Sequence, residues 1–173
     1  TMPRLERIPI DDPTRAMPVV FRHALAARAM LEKVWDNQTA YQGIELTPED
    51  ALSRGQCGVS AVWLGRHLVA QGVEAYLTEG LMAINGNTDE HVWVEARNIA
   101  PEPYIIDITS DQYRTIHGSA VHVGMYGDEL VSDYRPQEYF EPFSVPHKKL
   151  MARYALMESK IARLARRHQL RVK

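Results

Sequence analysis

Three residues of this sequence have the types and the spacing needed for nucleophilic catalysis by a thiol. Cys57 is the only cysteine of the 173 residues, His91 follows 34 residues later, and Asp107 a further 16 residues on. A thiolate attacks carbonyl carbon, an imidazole takes and returns the proton, and a carboxylate orients the imidazole and stabilises its charged form. The three residues predict acyl transfer through a thioester on Cys57, with His91 as the base and Asp107 orienting it.

Each of the three residues also has a plainer explanation when it is taken singly. A lone cysteine in a helix is often a small buried hydrophobe, and a histidine at a strand end is often structural. An aspartate within an apolar strand can mark a sheet edge or a bulge. The combination favours catalysis because each residue type stands where the chemistry requires it.

The elements predicted around these residues explain how they would meet. Apolar residues recur at helical spacing from Cys57 to Gln71, and Gly72 ends the pattern, so Cys57 falls in the first turn of a helix. Helix N-termini carry unpaired N–H groups and lower a thiol pKa. Residues 73–84, 91–96 and 104–108 read as three strands of an antiparallel meander. His91 then opens one strand, and Asp107, which needs a partner inside an apolar run, lies on the next.

The remaining elements complete an α+β fold in one domain, residues 1–173. Residues 1–16 are predicted as an arm and residues 17–145 as the core, with helices over 19–35 and, more briefly, from Thr47 to about Arg54. Residues 110–145 are rich in Gly, Pro and Tyr and predict mostly loop, with one more strand near 120–123. Residues 146–173 form a basic C-terminal helix.

The C-terminal helix combines an apolar stripe with a strong positive charge. From Pro146 onward there are nine Lys or Arg and one acid, whereas the rest of the chain holds ten more acids than bases. The stripe consists of Leu150, Tyr154, Met157, Ile161, Leu164 and His168. We expect the stripe to pack on the domain and the basic residues to face outward, where they could steer an acidic substrate. They are Lys149, Arg153, Lys160, Arg163 and Arg167.

Residues adjoining the three central ones are candidates for substrate binding. Gly58 would let a substrate approach the backbone, and Trp93 either walls the cleft or packs in the core. Gln112, together with Thr109 and Asp111, follows Asp107 at the strand end and could shape the entrance.

Three segments of the sequence resemble the transglutaminase-like superfamily of papain-related fold. They are Gly-Gln-Cys-Gly-Val-Ser-Ala-Val-Trp-Leu at 55–64, His-Val-Trp-Val-Glu at 91–95 and Tyr-Ile-Ile-Asp-Ile-Thr-Ser-Asp-Gln-Tyr at 104–113. The resemblance implies a transglutaminase-like core with the Cys on a helix N-terminus and His and Asp on successive strands. Members include peptidases, transglutaminases, deamidases and acyltransferases, so the resemblance implies a mechanism and no particular substrate. By analogy with papain-like enzymes, Gln56 would point its amide at the oxyanion; the alternative is a solvent-facing residue that caps the helix.

The overall composition narrows the remaining possibilities. No apolar run could cross a membrane, residues 1–13 contain no signal-peptide pattern, and a single cysteine fits a reducing, cytoplasmic setting. Phosphate-loop and dinucleotide motifs are missing, nucleic acid is disfavoured, and no cofactor is implied. Of the seven histidines only His117 and His122, five apart, hint weakly at a metal.

Two function classes therefore remain open from the sequence. The first is a cysteine-dependent peptidase, deamidase, transglutaminase or acyltransferase, acting on a peptide, a protein or an acyl carrier. The alternative is a non-catalytic binding module of the same fold that interacts through its basic C-terminal helix. The oligomeric state cannot be read from the sequence.

Overall fold

The structure, a computed structural model, describes residues 2–41, 44–84, 86–113, 119–128 and 133–172. Within these ranges the elements are α1 (Pro13–Leu31), α2 (Cys57–Ala70), β1 (Ala75–Ile84), β2 (Asn87–Ala96), β3 (Tyr104–Asp107), a 3₁₀ turn (Ser110–Tyr113), β4 (His122–Met125), β5 (Tyr134–Phe140) and α3 (Lys148–Arg171). Helices combined with an antiparallel sheet make the fold α+β, as the sequence predicted.

The sheet has five antiparallel strands in the order β4-β3-β2-β1-β5. The predicted three-strand meander forms its centre, and β4 lies close to the strand predicted near residues 120–123. The prediction of loop was wrong for residues 134–140, which form β5. Pro136 hides this strand in the sequence, because proline is compatible with sheet structure mainly at an edge.

Helix α2 lies at the centre of the main core. It packs on β1 and β2 and also contacts α1 and α3. Val59, Val62, Leu64 and Leu68 of this helix are completely buried. Burial of this apolar surface stabilises the fold and fixes where the first turn of α2, and so Cys57, lies.

Two helix predictions were wrong: one helix begins earlier than predicted, and another does not form. α1 begins at Pro13, within the predicted arm, because Asp12 caps it by accepting from the Thr14 N–H at 3.2 Å and proline suits the first helical position. No helix follows Thr47 in the structure. The Asp50 carboxylate accepts from the Thr47 N–H at 2.8 Å and closes a turn instead.

The sheet is strongly curled. His122 on β4 and Tyr134 on β5 belong to strands at opposite edges, yet their rings stack with centroids 6.0 Å apart. The curl encloses a second apolar cluster, formed by Met82, Trp93, Ile105 and Tyr134. Gly80 allows this packing, because a Cβ there would lie 2.6 Å from the Trp93 ring and 2.2 Å from the Arg135 carbonyl oxygen.

The apolar stripe of α3 packs on the domain, as predicted. Leu150, Tyr154 and Met157 are buried, and Ile161 and Leu164 are partly buried, whereas His168 is exposed. The expectation that all the basic residues face outward was wrong for two of them: Arg153 is half-buried, and the Lys160 side chain is 20% exposed and pairs with Asp36. No helix in the described part of the chain is long and apolar enough to span a membrane.

Candidate active site

Cys57 is the first residue of α2, and its side chain is half-buried. Gln56 occupies the N-cap position but makes no capping hydrogen bond through its side chain. The first N–H groups of a helix have no partner within the helix, and they carry the positive end of its dipole. The sulfur therefore lies where negative charge is favoured.

His91 and Asp107 meet because of the register between β2 and β3. Val94 pairs with Ile106 and Glu95 with Ile105, so continuing the register places Asp107 opposite Trp93 and diagonal to His91. Diagonal neighbours on one side of a sheet lie within reach of long side chains. The His91 Nε2 to Asp107 Oδ2 distance is 2.6 Å, and both residues are about 1% exposed.

The Asp107 carboxylate is held on both of its oxygens. Oδ1 accepts from the backbone N–H of Thr109 at 2.9 Å and from its hydroxyl at 3.2 Å. Oδ2 accepts from the Tyr134 hydroxyl at 2.6 Å in addition to His91. The carboxylate thus has little freedom to turn, and it fixes the orientation of the imidazole.

The third contact joins His91 to the thiol. The Cys57 thiol lies close enough to the His91 ring for each to shift the other's pKa, and Nδ1 is the ring nitrogen that takes no part in the bond to Asp107. The backbone N–H of Val92 also acts to lower the pKa of Cys57. The structure thus brings Cys57, His91 and Asp107 together in that order, with His91 between the thiol and the carboxylate.

The pKa values in this chain shift toward a charged pair. Burial acts to raise the pKa of Cys57, but the hydrogen bond and charge of His91 outweigh it, and the Cys57 pKa is lowered. Burial opposes protonation of His91, yet the charge and hydrogen bond of Asp107, with help from Cys57, raise its pKa to about 10. The Asp107 pKa is lowered despite burial, chiefly by the charge of His91. All three shifts favour the charged forms: the thiolate, the imidazolium and the carboxylate.

Two of the predicted substrate-binding residues, Gln56 and Gly58, have structural contacts that leave them unable to bind substrate as predicted. The Gln56 amide is completely buried: its oxygen accepts from the Thr39 hydroxyl at 2.8 Å, and its nitrogen donates to the Asp36 carbonyl at 3.0 Å. It does not turn toward an oxyanion. The space over Gly58 belongs to Leu150, since a Cβ at Gly58 would lie 2.8 Å from the Leu150 Cδ1 atom. The missing side chain at Gly58 therefore serves helix packing.

Trp93 and Gln112 lie close to the chain of three residues. The Trp93 ring is 1% exposed, with its centroid 5.9 Å from that of His91, and its Nε1 donates to the Tyr126 hydroxyl at 2.9 Å. It packs in the core beneath His91. The Gln112 oxygen accepts from the Gly55 N–H at 3.1 Å, two residues before Cys57. Its buried Nε2 has no acceptor among the residues that the structure describes.

Asp111 has a different role from the predicted one at a substrate entrance. It accepts from Arg28 Nη1 at 2.7 Å and Nη2 at 2.8 Å, and the Ser53 hydroxyl donates to it as well. Arg28 also donates to the Ile108 carbonyl at 2.9 Å and to Glu32 at 2.6 Å. This buried network joins α1, the segment before Cys57 and the segment after Asp107, and so positions both.

Sequence reasoning missed Tyr134 and assigned Arg153 to the solvent. Tyr134 lies in a stretch predicted as loop, and it reaches Asp107 only because the sheet curls. Arg153 looked like one of several outward charges. Its place directly beside buried Tyr154 and three residues after buried Leu150 is the one signal that could have marked it.

Metal binding has no support in the described ranges, where no three His, Cys, Asp or Glu residues lie close enough to hold an ion. His117, one of the two histidines considered for a metal, lies outside the described residues. His122 stacks on Tyr134.

Comparisons with known proteins found no match: no family model, no curated protein and no solved structure resembles this chain.

Proposed function

We propose that this protein is a cysteine-dependent acyl-transfer enzyme, with Cys57 as nucleophile, His91 as general acid and base, and Asp107 as the residue that orients His91. One observation carries the proposal: a thiol at a helix N-terminus lies beside an imidazole that is hydrogen-bonded to a buried carboxylate. The plainer explanation of each residue does not account for all three meeting.

The chemistry follows from the charged state of the pair. The Cys57 thiolate attacks the carbonyl carbon of an amide, ester or thioester, and the carbonyl π electrons move to the oxygen. As the tetrahedral intermediate collapses, the His91 imidazolium gives its proton to the leaving amine, alcohol or thiol. Neutral His91 then takes a proton from water or an acceptor amine, which attacks the thioester and releases Cys57 as thiolate.

The developing oxyanion needs donors that are already in place. The backbone N–H of Cys57 is one candidate, because it belongs to the first turn of α2. Gln112 is the side-chain candidate: its oxygen is anchored on Gly55, and its amide nitrogen lacks an acceptor among the described residues.

The fold is consistent with a transglutaminase-like core as part of this proposal. The Cys-bearing helix packs against the sheet, and His91 and Asp107 lie on successive antiparallel strands. The three segments that resemble the superfamily contain these three residues. Peptides, proteins and acyl carriers are the substrate classes that we propose on this basis.

Alkylation of the sole cysteine tests the proposal without a known substrate. Iodoacetamide reacts with thiolate, so its rate across pH 5–9 reports the ionisation of Cys57 alone. We expect the rate at pH 6 to exceed that of an ordinary thiol, with pKa about 8.5, by roughly a hundredfold. A profile like that of an ordinary thiol would contradict the proposal and favour the non-catalytic module.

Trapping of the thioester identifies the substrate class. The protein is incubated with cell extract, quenched in acid and analysed as the intact mass, with Cys57→Ala as the control. An added mass that the control lacks is the acyl group.

A further inference from the structure

One guanidinium from α3 lies at the edge of the candidate site. Leu150 packs over Gly58 in the first turn of α2, and Arg153 follows one helical turn later. Arg153 Nη1 donates to the Thr39 carbonyl at 3.4 Å, and the guanidinium carbon lies 5.5 Å from the centre of the Tyr41 ring. Thr39 itself bonds to Gln56, the residue before Cys57.

A short backbone connection strengthens this placement. The Tyr41 N–H donates to the Gly55 carbonyl at 2.8 Å, so the loop that carries Thr39 and Tyr41 runs beside the residues leading into Cys57. Arg153 contacts this loop from the side of α3. The guanidinium and the thiol therefore flank the same stretch of chain.

The charge of Arg153 has no carboxylate partner among the residues that the structure describes. Burial lowers the pKa of this arginine, while Cys57 and Tyr41 act in the opposite direction, and an arginine with such a high ordinary pKa stays cationic at neutral pH. A guanidinium has five N–H donors, and a single long bond to Thr39 leaves most of them unused. A half-buried cation with unused donors is an anion-binding group.

We infer that Arg153 binds a carboxylate of the acyl donor beside Cys57, so that the preferred substrates carry a carboxylate near the scissile carbonyl group. This inference rests on the proposed function and narrows its substrate class. A carboxylate fits because the planar guanidinium donates two parallel hydrogen bonds to its two oxygens. The exposed ring of Tyr41 provides a wall next to that position.

Two alkylating reagents of nearly equal size test the inference directly. Iodoacetate carries a carboxylate where iodoacetamide carries a neutral amide. With either one the Cys57 sulfur forms a bond to the methylene carbon, and iodide leaves with the electron pair of the C–I bond. Each rate is first divided by the rate of the same reagent with a small free thiol. The ratio of the iodoacetate value to the iodoacetamide value then cancels the thiolate fraction and isolates recognition of the carboxylate.

We expect Arg153→Gln to lower this ratio about tenfold relative to the wild type, as for loss of a charge-assisted hydrogen bond. Arg153→Lys should fall between the two, because it keeps the charge and loses the planar fork. Arg163→Gln removes the same charge from an exposed position ten residues along α3 and should leave the ratio unchanged. Melting temperatures should stay close to wild type for all three variants.

Three outcomes would overturn the inference: an unchanged ratio in Arg153→Gln, an equal fall in Arg163→Gln, or protection of Cys57 by inorganic phosphate with none by acetate. The first two mean that the carboxylate is not bound by Arg153, and the third that the anion is a phosphate. The pH profile of iodoacetamide alone tests the proposed function. The proposed function can therefore be contradicted while the rate ratio still depends on Arg153. Equally, the proposed function can be supported while the ratio does not depend on Arg153.

Discussion

Asp107 and Asp111 lie four residues apart, are both buried, and each bonds a cationic side chain. Asp111 binds Arg28, whose guanidinium has a pKa far above neutrality and donates to Asp111, Glu32 and a backbone carbonyl. Asp107 binds His91, whose ring can lose a proton and whose other nitrogen is left for a thiol.

The difference between these two pairs distinguishes an ion pair that stabilises the fold from one that can take part in a reaction. A buried ion pair stabilises a structure when all its donors and acceptors are used, as around Arg28. It can support catalysis when the cation can exchange a proton with a nucleophile, as we propose for His91. The same contrast separates Arg28 from Arg153, which has no carboxylate partner among the described residues.

The largest expected effect comes from breaking the structural pair. Arg28→Met leaves the Asp111 charge buried without its main partner, which costs about 3–5 kcal/mol of the free energy of unfolding. Urea denaturation measures the loss. Arg28→Met combined with Asp111→Leu removes both charges and should recover much of it. If the double variant is no more stable than the single one, Asp111 is not the source of the cost.

Breaking the reactive pair should instead change chemistry. His91→Ala removes the cation that stabilises the thiolate, so the iodoacetamide rate at pH 6 should fall about a hundredfold, toward that of an ordinary thiol. The loss should be visible in the pH profile as a midpoint displaced to higher pH. A rate that stays high in this variant would mean that the helix N-terminus alone lowers the Cys57 pKa.

Tyr134→Phe tests the support of Asp107 at a smaller scale. It removes one hydrogen bond to a buried carboxylate and keeps the ring that stacks on His122, so we expect a loss of about 1.5 kcal/mol in unfolding free energy. The Cys57 alkylation profile should shift slightly. Tyr126→Phe, which removes a hydroxyl bonded to Glu95 and Trp93, is the matched control and should leave the profile in place.

The smallest effect is a difference in how stability depends on pH. In the proposed thiolate–imidazolium state the folded pair holds one proton, on His91, and between about pH 6.5 and pH 9 the unfolded chain also holds one, on Cys57. The pair therefore adds no pH dependence in that window. Stability rises with pH below the window, where the unfolded chain binds two protons, and falls above it, where the unfolded chain binds none.

Cys57→Ala should remove this plateau. Without the thiol, folded His91 keeps its proton above pH 6.5 while the unfolded chain loses it, so stability should decline by about 1 kcal/mol between pH 7 and pH 8. Urea titrations of the wild type and the variant at matched pH values measure the difference. Parallel curves would show that His91 is neutral in the folded protein.

The central chain of the site could be predicted from sequence, because its residues are placed by local patterns. The stop at Gly72 and the apolar periodicity locate α2, and the apolar run around Asp107 identifies a buried carboxylate that needs a partner. Alternation and short turns then make the strands neighbours. The α+β fold follows from the same patterns.

The supporting residues could not be predicted, because they depend on long-range geometry. Tyr134 meets Asp107 through the curl of the sheet, which no local pattern encodes. Arg28 is one of three arginines in α1, and its partner lies 83 residues away in the chain. The direction of Arg153 depends on how α3 rotates over α2, and the spacing of its apolar stripe does not fix that rotation closely enough.

Because α3 follows the other described elements in the chain, the site can be completed only after those elements have been synthesised. The thiol is made 96 residues before Arg153, and Thr39, which Arg153 contacts, is made 114 residues before it. A ribosome adding about 5–20 residues per second needs several seconds to cover that interval. During that time Cys57 precedes first its histidine and then its arginine, so the nascent chain carries an ordinary thiol. On the proposed function we expect thiol reactivity only after the later strands have paired, and carboxylate recognition only after α3 has packed on α2.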